Sequence, residues 1–165
     1  MSKRSIAVLT LGLALQGSAA LAQSEGWGTG YQMGTSYAGV SGADGTRLTF
    51  YCGDSAAARA NPAIASGPYL IAVLPRTQLK DALPAVIEIV ADGKATRVPV
   101  TAQAGIDEVE LTWKPDAGFG TTQMKPVVAA LRDAKRIELR AGDAAILLPI
   151  EGVAKALADD PLHCP

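Results

Sequence analysis

The groups in this sequence able to do covalent or proton-transfer chemistry are few. His163 is its one imidazole, two residues from the end of the chain and beside Cys164. A Ser–His or Cys–His nucleophile scheme needs a base held by the fold, and a terminal histidine reads as surface. One imidazole and two thiols are too few ligands for a zinc site, and the two thiols lack the C-x-x-C spacing of a redox or metal pair. Asp107, Glu108 and Glu110 form the densest acidic cluster, with Asp159-Asp160 further on. Paired carboxylates can hydrolyse glycosides and acidic loops can hold calcium. Here Glu108 and Glu110 alternate with Val109, Leu111 and Trp113, which is the wet face of a half-buried strand. Glycine motifs fail on spacing. Gly26-Trp27-Gly28-Thr29-Gly30 is not the dinucleotide fingerprint, Gly93-Lys94 lacks the rest of a phosphate loop, and Gly34 to Gly39 is one residue too long for a nucleophile elbow. The expectation is a chain without catalytic residues, metal or cofactor.

Cys52 and Cys164 acquire a different meaning from the start of the chain. Lys3 and Arg4 precede an apolar run from Ile6 to Leu15, and small residues end in Ala20-Leu21-Ala22. This is the order of a secretory signal peptide, and the apolar run is too short to span a bilayer. The reading is export to a bacterial periplasm or beyond, with residues 1–22 removed and no stable membrane insertion. In an oxidising compartment an even pair of cysteines forms a bridge, so Cys52 is expected to be joined to Cys164.

The whole chain has 15 basic and 16 acidic residues. Two of the basic ones lie in the leader, so the mature balance is more acidic still. Nucleic-acid binding needs a surplus of Lys and Arg and is not expected.

Residues 23–46 are glycine-rich and carry Trp27, Tyr31 and Tyr37. They read as an N-terminal arm, in part irregular because glycine loses more entropy on ordering than any other residue. Residues 47–165 read as a single β-rich domain. Leu48, Phe50 and Cys52 alternate with Thr49 and Tyr51 in a strand over Arg47–Gly53. Tyr69–Leu74 is a second strand. Two β-branched runs around Asp92-Gly93 make a hairpin over 86–100, with Pro99 assigning its strand to an edge. Met124, Val127, Val128 and Leu131 share one helix face, with Thr122 as its cap. Strands at Arg136–Arg140 and Ala144–Ile150 and a short helix over Glu151–Ala158 complete the order. The fold class is mainly β, an antiparallel sandwich or small barrel with one or two short helices, the last C-terminal and tied by the disulfide.

The stretch VVAALRDAKRIELRAGDAAILLPIEGVAKALADDPLHC (127–164), with LTFYCG (48–53) upstream, resembles a group of small bacterial periplasmic proteins. These are the VasI-type accessory proteins of type VI secretion and, more distantly, the invasion-associated locus B proteins. Cys52, Gly152 and Cys164 match their layout; the second cysteine pair of the invasion-type proteins is missing. The resemblance implies a non-catalytic envelope protein that works through contacts with another envelope protein. Trp27, Tyr31 and Tyr37 are the candidate contacts. Two other functions are compatible with the residues. One is an inhibitor of an envelope-degrading enzyme such as lysozyme, on the loose likeness of Phe50-Tyr51-Cys52. The other is a small hydrolase using a carboxylate pair.

Overall fold

A computed structural model describes residues 26–61, 65–80 and 82–164; the leader and cleavage point expected before Gln23 lie outside them. Alternation builds most of the elements. In β3 (Arg47–Gly53) Leu48, Phe50 and Cys52 are buried, and in β8 (Glu108–Trp113) Val109, Leu111 and Trp113 are. Each of these strands therefore gives one face to the core.

Two antiparallel sheets pack around one hydrophobic cluster. The larger has six strands: β1 (Gly26–Gln32), β2 (Thr35–Ser41), β3, β4 (Gly67–Pro75), β8 and β7 (Thr101–Ala104), in that order. The smaller runs β10 (Ala144–Leu148), β9 (Ile137–Ala141), β5 (Val86–Ala91), β6 (Lys94–Pro99). The architecture is a sandwich, not a closed barrel. Pro99 lies on an edge strand, as its missing N–H requires. α1 (Ser55–Ala60) is capped by the Asp54 carboxylate; α2 (Thr121–Asp133) adds Met124, Val127, Val128 and Leu131 to the core; α3 (Val153–Ala156) packs beside α2 and β1. The N-cap of α2 is Gly120, not Thr122, and the Gln123 side chain accepts its N–H.

Tight turns set the register. Met33-Gly34 and Asp92-Gly93 are two-residue loops with positive φ at both positions, the backbone that matches strand twist. Asp92 does more than turn the chain. Its carboxylate accepts the N–H groups of Lys135 and Arg136 at 2.9 Å each, tying the β5–β6 hairpin to the start of β9.

The irregular arm expected over residues 23–46 is corrected from Gly26 onward. Gly26–Gln32 and Thr35–Ser41 are full strands of the larger sheet, paired residue for residue with each other, and the second is paired in the same way with β3. The ladder overcomes the entropy cost because the glycines all fall on one face. Gly28 and Gly30 lie on the outer face, and the Tyr37 side chain from β2 lies over Gly30, where any Cβ would overlap it. An aromatic laid across a cross-strand glycine supplies the packing that the glycine lacks.

Candidate functional site

The disulfide is present: Cys52 in β3 is bonded to Cys164, with Cα atoms 5.3 Å apart and 112 residues between them in sequence. It pulls the segment after α3 across the inner side of the larger sheet. Between that segment and β1 lies a groove of about 740 Å³. Its β1 wall carries Thr29 and Tyr31; its opposite wall carries Lys155, Asp159, Asp160 and His163.

The three aromatics expected to make contacts have three different fates. Trp27 is buried, with 8% of its surface exposed. Strand alternation turns it into the core, and its indole N–H donates to the Pro149 carbonyl at 2.9 Å. It anchors β1 and is corrected as a contact residue. Tyr31 is 68% exposed at the groove mouth. Tyr37 is on the outer face of the sheet, exposed and lying on Gly30.

The edge of β1 is open beside the groove. The N–H of Trp27 points away from β2, to the Glu151 carbonyl at 2.8 Å. Alternation directs the N–H and C=O of Thr29 and Tyr31 the same way. Among the described residues none of these four groups has a partner. The start of β1 is therefore fastened, and its second half is a sheet edge without a partner among the described residues. The fastening depends on Gly152, at φ 79°, where a Cβ would stand 2.8 Å from the Trp27 carbonyl oxygen.

The acids do not converge. Glu108 is bonded to Arg47 at 3.1 Å on the surface, and with Asp107 it borders a shallow dish at one end of the sheet. Glu110 accepts the Thr112 hydroxyl at 3.0 Å and faces a separate cavity. His163 lies at the groove rim with its N–H donated to the Asp160 carbonyl at 3.0 Å. Among the described residues no cluster of His, Cys, Asp or Glu could hold a metal ion, and no helix is long and apolar enough to cross a membrane.

A feature not anticipated is a row of tyrosines on the outer face. Tyr37, Tyr51 and Tyr69 are direct cross-strand neighbours on β2, β3 and β4. Tyr51 and Tyr69 stack at 5.0 Å with planes 11° apart, and Tyr37 and Tyr51 meet at 6.2 Å and 48°. Burial is the largest influence on the Tyr69 phenol and pushes its pKa up; the negative charge that Tyr51 and Glu110 can carry acts the same way, against a hydrogen bond with Thr35. The outward alternation of Tyr51 was readable in the sequence, but the register that aligns the three was not.

No curated protein and no solved structure is significantly similar to the chain. A family model does match. It is that of YfjT, it covers residues 25–157, and the chain belongs to the YfjT family.

Proposed function

We propose that this is an exported accessory protein of the bacterial envelope, non-catalytic, that binds an extended segment of another envelope protein along β1. The observation that carries the reading is the open half of β1 beside a groove. An added strand completes the ladder through Thr29 and Tyr31, and every second side chain of that strand falls into the groove. Main-chain bonds then give affinity and the groove gives selectivity, the logic of β-strand addition. Natural proteins blunt long free edges with charge, proline or cover; Gly28–Gln32 carries no charge or proline, and no strand covers its outer edge among the described residues. The leader supports export, and the layout of Cys52, Gly152 and Cys164 shared with VasI-type and invasion-associated locus B proteins is in keeping with an envelope role.

The test is photocrosslinking in the intact envelope from a reactive residue placed at Tyr31, with and without Thr29→Pro. Proline removes one outward N–H on an edge where the fold does not use it. The expected result is one major adduct, lost in the proline variant while its melting temperature is kept. An adduct that survives Thr29→Pro shows that the partner does not use the strand edge. A Tyr31→Ala variant that still assembles at full strength also rejects the groove mouth as the contact.

A further inference from the structure

The stacked tyrosines divide the outer face of the larger sheet into two concavities. Tyr51 covers one face of the Tyr69 ring from the β3 side, so the other face is turned toward β8. There it walls a cavity of about 620 Å³. Ile71, Thr112 and Thr101 form one cross-strand row in its floor, and Gln103 and Glu110 sit opposite each other in the next. Pro99 and Val100, where the chain crosses from the smaller sheet to the larger, close the far side. On the other side of the ridge, Tyr37, Thr35, Thr49 and Tyr51 line a second concavity of about 440 Å³, and Tyr69 borders both. Both volumes fall within the range of about 300–1,000 Å³ typical of small-molecule sites.

We propose that the cavity between Tyr69 and β7 is a binding site for a neutral oligosaccharide. One free aromatic face gives an apolar wall for the C–H face of a pyranose ring. The amide of Gln103, the carboxylate of Glu110 and the hydroxyls of Thr101 and Thr112 supply both donors and acceptors for ring hydroxyls. Charge argues against an anionic ligand. The wall carries the Glu110 and Asp116 carboxylates against the single Lys114 ammonium, so a phosphate or sulfate meets net repulsion. This site faces away from the β1 groove and does not depend on the strand-addition reading.

The test uses the oxidised full chain, labelled with nitrogen-15. Chitotetraose and maltotetraose are titrated separately to about 10 mM, the weak end of specific binding. Expected are amide shifts confined to Ile71, Thr101, Gln103 and Thr112 with at least one of the two sugars. Tyr69→Ala lowers affinity about tenfold, as loss of an aromatic contact does, while Tyr69→Phe keeps most of it. Gln103→Ala weakens binding without moving the melting temperature, and Tyr31→Ala leaves it unchanged. Absence of shifts with both sugars overturns the proposal. So do shifts that map to β1, shifts undiminished in a folded Tyr69→Ala variant, or a response to spermidine at these residues without one to sugar.

Discussion

Replacing Gly152 by alanine tests how β1 is fastened, and Gly142→Ala is its internal control. Both glycines have positive φ, 79° and 55°. A left-handed backbone costs alanine about 1–2 kcal/mol. At Gly142 nothing lies within 4 Å of the added Cβ, so that cost is the whole effect. At Gly152 the new carbon stands 2.8 Å from the Trp27 carbonyl oxygen and must displace backbone. Overpacking of this kind adds roughly 1–3 kcal/mol. The expected losses are about 1–2 kcal/mol for Gly142→Ala and about 2–5 kcal/mol for Gly152→Ala, measured by urea unfolding of the oxidised protein. At roughly 3 °C per kcal/mol for a chain of this size, the melting temperatures fall by about 3–6 °C and about 6–15 °C. The backbone bond from Trp27 to Glu151 is the one displaced, so the Trp27 amide should also exchange faster in Gly152→Ala. Equal losses for the two variants would refute the claim that Gly152 holds β1 in place.

Reducing the Cys52–Cys164 bridge opens a loop of 112 residues. Chain entropy sets an upper guide of about 4–5 kcal/mol for the stability lost, read as the shift between oxidised and reduced urea curves. Asp92→Ala removes the acceptor of two backbone N–H groups and should cost about 2 kcal/mol, whereas Asp92→Asn, which keeps an oxygen there, should cost less. Acid should destabilise the fold in two places. For Asp44, burial pushes the pKa up, but hydrogen bonds from Gln78 and from the Thr46 N–H and hydroxyl outweigh it and hold it low; for Glu138, the Arg140 hydrogen bond holds it low. Both folded values lie below the unfolded ones, so their contribution is present above the ordinary carboxylate range of about 4 and is lost as pH falls through the folded values. A melting-temperature profile from neutral pH downward should be flatter in Asp44→Asn. In the alkaline range, the raised Tyr69 pKa predicts that its phenol ionises after that of an exposed tyrosine, checked by ultraviolet titration of Tyr69→Phe against the parent.

Where side chains alternate, the strands were legible. Leu48, Phe50 and Cys52 marked β3, and the β-branched runs around Asp92-Gly93 marked the β5–β6 hairpin and its turn. The same period was present in Trp27-Gly28-Thr29-Gly30-Tyr31, but glycine occupies one whole face, so low strand propensity hid it. What makes that face tenable is Tyr37 lying over Gly30, a contact set by pairing between strands. Trp27 looked like a surface aromatic for the same reason: once the segment is a strand, alternation turns it inward. β7 escaped notice because Thr101–Ala104 is short and mostly exposed. The tyrosine row, the β1 groove and the second role of Asp92 all depend on residues far apart in sequence, which local patterns do not bring together.

Residue-resolved amide exchange, with and without the partner crosslinked from position 31, tests the central claim most directly. Gly28 and Gly30 already face β2, so their exchange should change little. Thr29 and Tyr31 should exchange freely in the isolated protein and become protected in the complex. Protection that appears elsewhere on the sandwich, with Thr29 and Tyr31 still exchanging freely, would contradict strand addition on β1.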